Sequence, residues 1–199
     1  MDQAFAGDGF TVSRVVVGPL DNNAYLIRCN RTGKGILVDA ADEPEALLQL
    51  VEGTAVLAVV TTHGHWDHHQ AAKQTAATLG APVLVHPLDA AMTDGSFNDL
   101  EMGSLRIGDV TATTLHTPGH TPGSSCIYLD GVVFTGDTLF PGGPGATRFE
   151  HSSFETIIES IVTHLFSLED DTVVLPGHGE ATTIGTERGQ LQTWVDRGW

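Results

Sequence analysis

Four side chains that could bind a metal ion stand within six residues, in the segment Thr62-His63-Gly64-His65-Trp66-Asp67-His68. The segment follows the apolar run VLAVVTT, which predicts a buried strand, and precedes an Ala-rich stretch that predicts a helix. Imidazole nitrogens and carboxylate oxygens suit borderline divalent ions such as zinc, and a glycine between two histidines lets both point at one ion. The alternative is a solvated helix start capped by Asp67. Because chance seldom places three histidines and an aspartate after such a strand, the segment favours a metal site.

Three more potential ligands stand where predicted strands end, each beside a glycine. His120 lies in TPGHTPG, Asp137 lies in TGDT after the run GVVF, and His178 lies in PGHG after the run TVVL. Taken singly, each is typical of a local turn residue. Their recurrence at matching junctions, after one strong cluster, favours a joint metal site.

The elements that position these residues are predicted to be β-rich, then βα, then β-rich, then αβα. We expect strands at 10–17, 24–29, 35–40, 55–63, 82–86 and 172–175, several short strands over roughly 104–137, and helices at 43–53, 67–79, 153–166 and 186–195. Two packed sheets with helices outside would bury every apolar face. The GGPG run at 142–145 is too short for a linker and is expected to be a loop near a site. We therefore expect an α/β (α+β) fold and one domain over residues 1–199.

The composition of the chain limits which partners the protein is expected to bind. The chain has 199 residues and a formal net charge of −16, and its few Lys and Arg are scattered, so nucleic acid and anionic membranes are not expected partners. No run approaches the roughly 18 apolar residues of a membrane span, and the start MDQAFAGDGF lacks a basic stretch followed by an apolar one. We expect a cytoplasmic protein. The two cysteines, Cys29 and Cys126, are expected to be buried thiols and not a disulfide or zinc site.

The motifs THGHWDH, TPGHTPGS, FTGDTLF and LPGHG resemble the metallo-β-lactamase superfamily, whose signature is HxHxDH followed by a later His, Asp and His. Within it they are most similar to the glyoxalase II (hydroxyacylglutathione hydrolase) branch and its short single-domain relatives. The match runs from about residue 20 to residue 185. The resemblance implies a four-layer αββα sandwich, the metallo-β-lactamase fold, with the metals at one edge between the two sheets.

The resemblance also implies residue roles. One metal ion would take His63, His65 and His120, the other would take Asp67, His68 and His178, and Asp137 would bridge both. Two divalent ions are implied, zinc first, with iron or manganese as alternatives. The implied reaction is hydrolysis of a thioester or related small acyl substrate by a hydroxide that the two ions share.

Further roles follow from the same resemblance. Asp39 would orient a ligand histidine, although a simple turn residue fits its position as well. Asp67 has a second possible role, as a proton acceptor during departure of the leaving group. Arg148 and Phe149 are candidate substrate contacts.

The chain also departs from the glyoxalase II pattern. About twenty residues follow His178, fewer than the C-terminal helical part of that branch, and the loop before Arg148 is unusually rich in Gly and Pro. An altered thiol-ester pocket is expected, with substrate contacts from the loops 138–150 and 87–103 or with those loops as ordinary surface. The histidines without a motif position are expected to be structural or surface residues: His69, His86, His116, His151 and His164.

Three other functions stay open. A persulfide dioxygenase of the same superfamily would use one iron held by His63, His120 and Asp137. A lactonase or β-lactamase is less favoured, because many zinc β-lactamases place Cys at the second metal. A structural metal site in a binding protein is disfavoured because such sites are normally closed and four-coordinate. The oligomeric state is not predicted.

Overall fold

Two β-sheets stacked face to face form the centre of the molecule, which a computed structural model describes over residues 2–198. The first sheet has seven strands whose order in space follows the chain. Its first four strands are antiparallel neighbours, whereas β4, β5, β6 and β7 run parallel. The strands are β1 (Asp2–Gly7), β2 (Phe10–Val17), β3 (Asn22–Cys29), β4 (Lys34–Val38), β5 (Ala55–Val60), β6 (Val83–Val85) and β7 (Asn98–Asp99).

The second sheet has six strands, and two further strands form a small hairpin beside it. These strands are β8 (Gly103–Ile107), β9 (Val110–His116), β10 (Ser125–Leu129), β11 (Val132–Gly136), β12 (Leu139–Phe140), β13 (Gly143–Pro144), β14 (Val173–Pro176) and β15 (Thr182–Thr183). The six-stranded order is β15-β14-β11-β10-β9-β8, and β12 pairs with β13. Since β10 is antiparallel to both β9 and β11, and β14 is parallel to β11, the strands β9, β11 and β14 all end at the same edge.

Alternation of side chains along the strands divides the interior into layers. In β3, Tyr25 and Ile27 face the second sheet, whereas Leu26 packs on the opposite face. In β11, Phe134 faces the first sheet and Val133 packs outward. This period of two is what a sheet requires when both of its faces are covered.

Helices cover the outer face of each sheet. The first sheet carries α1 (Pro44–Leu50) and α2 (Ala72–Leu79), and the second carries α3 (Phe154–Ser160), α4 (Ile184–Arg188) and α5 (Leu191–Arg197). Short 3₁₀ helices span Trp66–His68 and Pro87–Met92, and a π-helical turn spans Ile161–Leu165. The expected αββα sandwich is confirmed.

Several element boundaries differ from the sequence-based expectation. The helix expected over 67–79 is a 3₁₀ turn followed by α2, because the backbone N–H of Ala71 bonds to the carbonyl of Ala40 on a neighbouring loop. The helix expected over 153–166 ends in the π turn, where Phe166 N bonds to Ile161 O. The terminal helix is split in two, and β1 was not predicted because its half-exposed residues, DQAFAG, include no β-branched side chain.

Within residues 2–198, none of the helices has both the length and the apolar content needed to cross a bilayer.

Candidate metal centre

The candidate ligands come together at one edge of the sandwich, where strands of both sheets end. In the first sheet, β4 leads to Asp39 and β5 leads to the segment His63–His68. In the second sheet, β9, β11 and β14 lead to His120, Asp137 and His178. The two edges are tied together, because Ser125 N bonds to Thr62 O and Asn23 N bonds to Gly177 O. The junctions expected from the sequence therefore meet in space.

One group of ring nitrogens is formed by His63, His65 and His120. Nε2 of His63 lies 3.0 Å from Nδ1 of His65, and Nε2 of His120 lies 2.9 Å from that same nitrogen. The three atoms lie within 4.8 Å of one another, close enough to surround a single cation. These are the three histidines that the resemblance assigns to one metal ion.

A second group lies beside the first and is formed by Asp67, His68 and His178. Oδ2 of Asp67 lies 3.5 Å from Nε2 of His68 and 3.4 Å from Nε2 of His178. The two Nε2 atoms lie 3.3 Å apart. These are the residues assigned to the other ion.

Asp137 stands between the two groups. Its Oδ2 lies 3.6 Å from Nε2 of His120 in the first group and 3.8 Å from Nε2 of His178 in the second. Its Oδ1 lies 3.4 Å from Nε2 of His68. The carboxylate thus reaches ligands of both groups, as a bridging residue must.

Each of the five histidines has its outward ring nitrogen held by a neighbouring group. These partners fix the ring orientation and leave the other nitrogen facing the cluster. The pairs are His63 Nδ1 with Thr62 Oγ1 at 3.1 Å, His65 Nε2 with His151 Nε2 at 3.2 Å, His68 Nδ1 with Asp39 Oδ2 at 2.9 Å, His120 Nδ1 with Ala146 O at 2.8 Å, and His178 Nδ1 with Leu20 O at 2.9 Å.

Asp39 is buried and accepts hydrogen bonds from two residues of the site. Its Oδ1 accepts from Thr62 N and its Oδ2 from Thr62 Oγ1, both at 2.8 Å. The same Oδ2 accepts from Nδ1 of His68. A proton on Nδ1 leaves Nε2 of His68 with a lone pair that faces the cluster. The contact expected from the resemblance is therefore present.

The donor set fits a bound cation. Oδ1 of Asp137 is buried and has no hydrogen-bond partner in the described chain, and Nε2 of His68 lies 3.4 Å from it. A buried carboxylate oxygen without a partner is costly, and a cation would satisfy it. Five imidazoles and two carboxylates are ligands that zinc, iron and manganese accept.

The three histidines of the first group are held in the neutral form, which can donate a lone pair to a metal ion. Burial, reinforced by the neighbouring histidine rings, lowers the pKa of His63 well below its ordinary value. Burial and His120 lower the pKa of His65 to about 4, and burial lowers the pKa of His120 as well. These three rings are neutral at pH 7, which is the form that binds metal.

Carboxylates have the opposite effect on the second group. Burial alone would lower the pKa of His68, but Asp137 and Asp39 raise it well above its ordinary value. Burial is likewise outweighed at His178, whose pKa the hydrogen bond to Asp67 and the charge of Asp137 raise. For Asp67 itself, burial is outweighed by His178 and His68, so its pKa is lowered. A cation entering this group must therefore displace protons.

A cavity of about 630 Å³ opens onto both groups. Its wall includes Arg148 and Phe149, the two candidate substrate contacts, and the Arg148 guanidinium stacks over the Phe149 ring at 5.6 Å. Apolar side chains complete the rim, and two of them are unusually exposed for their type, Trp66 at 57% and Leu20 at 50%. Of the two loops considered as substrate contacts or as ordinary surface, 138–150 lines this cavity, whereas the segment 87–103 contributes no residue to its wall within the described chain.

Two residues of the site were missed by sequence reasoning. His151 was expected to be structural or a surface residue, and it is exposed, yet it also contacts His65 and lines the cavity. Asn22 donates from Nδ2 to Oδ2 of Asp67 at 3.1 Å. Neither stands in a motif, and both reach the site from distant parts of the chain.

Comparison with known proteins agrees with this geometry. Residues 17–178 match the family model described as the metallo-beta-lactamase superfamily. The hydroxyacylglutathione hydrolase GloC of Haemophilus influenzae is 34% identical over 76% of this chain and 83% of its own.

Two solved structures share the fold over most of the chain. The BLEG-1 B3 metallo-beta-lactamase has a TM-score of 0.81 at 30% identity, covering 89% of this chain and 96% of its own. A di-iron-bound form of TTHA1623 has a TM-score of 0.79 at 34% identity, covering 88% and 96%. The chain therefore belongs to the metallo-beta-lactamase superfamily.

Proposed function

We propose that this protein is a hydrolase that binds two divalent metal ions and cleaves a thioester or a related small acyl compound. One observation carries the proposal: two groups of ligand atoms lie side by side, and Asp137 contacts both of them. A site for one structural ion would need a single closed set of four ligands, and this site has seven and opens onto a cavity.

Zinc is the proposed metal, with iron and manganese as alternatives that the same ligands accept. When bound, such a pair of cations lowers the pKa of a shared water toward neutrality and polarises a carbonyl oxygen. The di-iron-bound form of TTHA1623 supports iron as an alternative to zinc.

The protein's own residues position the substrate in this proposal. Leu20, Trp66, Phe140 and Phe149 give the cavity an apolar rim that suits the carbon chain of an acyl or thiol group. Arg148 is the cation of this rim among the described residues, and it suits an anionic part of the substrate. The similarity to a hydroxyacylglutathione hydrolase supports a thioester of a small, charged thiol.

The two proposed catalytic carboxylates have different surroundings. Asp137 contributes by contacting both ligand groups. Asp67 has a lowered pKa, so its carboxylate is ionised at pH 7 and suits a cation ligand. Its second role as a proton acceptor, and the cytoplasmic location, stay predictions.

The test is elemental analysis of protein purified without added metal, together with a hydrolysis assay on an S-acyl glutathione thioester. We expect about two equivalents of metal and thioester turnover. Asp137→Ala should lower the metal content and reduce kcat/KM by at least about 100-fold, since it removes a group that both ions share. Asp130→Asn, an exposed aspartate in the turn between β10 and β11, is the matched control and should behave as wild type.

Competing activities are measured in the same preparation. One equivalent of iron with oxygen uptake on glutathione persulfide would overturn the hydrolase proposal and favour the dioxygenase. Faster cleavage of a β-lactam or a lactone than of any thioester would overturn the proposed substrate class. Full activity of Asp137→Ala would contradict the proposed site itself.

A further inference from the structure

Asp89 is a buried carboxylate that stands close to the metal centre without being part of it. It lies in the 3₁₀ helix Pro87–Met92, which follows β6 at the same edge of the first sheet that supplies Asp39 and His63. Its side chain is fully buried, an uncommon position for an aspartate. No motif in the sequence marks it.

Three short hydrogen bonds are donated to the Asp89 side chain, and they come from two different loops. Oδ2 accepts from Gly64 N at 2.7 Å and from Thr121 Oγ1 at 2.6 Å. Oδ1 accepts from Gly123 N at 2.6 Å. One carboxylate therefore joins the loop that follows β5 to the loop that follows β9.

Two of the three donors are immediate neighbours of proposed metal ligands. Gly64 lies between His63 and His65, and Thr121 follows His120 directly. These three histidines form the first ligand group, which is assembled from both loops. The second group also has two ligands on the β5 loop, Asp67 and His68, but it has none on the β9 loop, and its histidines are held by Asp39 and Leu20.

Both loops approach the carboxylate so closely that only glycine fits. A Cβ on Gly64 would stand 2.6 Å from Cβ of Met92 and 3.1 Å from Cβ of Asp89. A Cβ on Gly123 would stand 2.6 Å from Cγ of Asp89. Contacts this short show that the glycines of HGH and TPGS admit the backbone to the aspartate, in addition to any turn they make.

We infer that Asp89 is a positioning residue that holds the β5 loop and the β9 loop in register, so that His63, His65 and His120 converge on one cation. This inference rests on the proposed two-cation site. Asp89 should therefore affect the binding of the ion in the first group only. The ion of the second group should be insensitive to it.

The test is a Co²⁺ titration of metal-free protein, followed by visible absorption, in two backgrounds that isolate the groups. His178→Ala leaves the first group intact, and His120→Ala leaves the second group intact. Asp89→Asn places an N–H donor against other donors, and it should weaken Co²⁺ binding about 10- to 100-fold in the first background and leave the second unchanged. Asp99→Asn, which changes an exposed aspartate in β7, is the control and should leave Co²⁺ binding unchanged in both backgrounds.

Equal loss in both backgrounds, or loss in neither, would overturn the inference. If Asp89→Asn does not fold, Thr121→Val decides the question, because it keeps the carboxylate and removes one donor. A smaller loss confined to the first group would support the inference, and no loss would contradict it. Because Co²⁺ binding is the readout, failure to hydrolyse thioesters would refute the proposed function and leave this result intact.

Discussion

Replacing Asp39 with Asn changes one atom of a buried side chain and should weaken the binding of one metal ion more than that of the other. Asp39 has a left-handed backbone with φ of 56°, a conformation that Asn also tolerates, so Asp39→Asn adds no backbone strain. The carboxylate accepts from Thr62 N, Thr62 Oγ1 and His68 Nδ1. An amide nitrogen in place of Oδ2 would face Nδ1 of His68 and favour the tautomer with its proton on Nε2. That proton would occupy the lone pair that faces the cluster.

The expected loss of metal affinity follows from the hydrogen bond between Asp39 and His68 that is lost. A hydrogen bond to a charged group contributes about 1.5–3 kcal/mol, and about 1.4 kcal/mol corresponds to a tenfold change in affinity. The ion of the second group should therefore bind about 10- to 100-fold more weakly, in line with the effect of groups that orient metal ligands. The ion of the first group should lose less affinity, because Asp39 reaches those three histidines only through Thr62 Oγ1, which pairs with Nδ1 of His63.

Competition with a chelator measures this directly. Metal content is followed by elemental analysis at rising chelator concentration, for wild type, Asp39→Asn and the control Asp130→Asn. Loss of about one equivalent at lower chelator concentration, in the Asp39 variant alone, is the expected result. Unchanged retention of both ions would refute the orienting role of Asp39, and equal weakening of both would point to a general loss of structure.

The remaining predictions concern the rim, the core and pH. His151→Ala should lower the affinity for the ion of the first group by up to about 10-fold in chelator competition, because the outward nitrogen of His65 loses its partner. Phe134→Ala should lower the free energy of unfolding by about 3–5 kcal/mol in urea denaturation, because Phe134 is fully buried between the sheets. As pH falls from 7.5 to 5, the ion beside His68 should be lost first, because a raised pKa lets protons compete there, whereas the pKa of His65 is about 4. Dialysis at each pH with elemental analysis checks this, and release in the reverse order would contradict it.

The layered fold and the meeting of the ligands could be predicted because their signals are local. Apolar runs of strand length mark β5, β11 and β14, and each ends in a residue with a metal-binding side chain beside a glycine. Strands of one direction end at one edge, so a pattern repeated along the chain becomes a cluster in space. Burying every apolar face predicts two packed sheets with helices outside, and the resemblance to the metallo-β-lactamase superfamily implies the four-layer αββα order.

The parts that could not be predicted depend on contacts between distant segments. Asp89, Asn22 and His151 each reach the site across more than twenty residues of chain, and none has a local signal. The start of α2 was misplaced for the same kind of reason, since a bond from Ala71 to a neighbouring loop ends the run from Asp67. Periodicity describes one element at a time and does not report which loops touch.

The central claim is that two adjacent cation sites share Asp137. Anomalous diffraction at the zinc edge, from crystals grown with zinc, tests it most directly. The expected result is two peaks beside the Asp137 carboxylate, one among His63, His65 and His120 and the other among Asp67, His68 and His178. A single peak, or peaks that do not contact Asp137, would contradict the account.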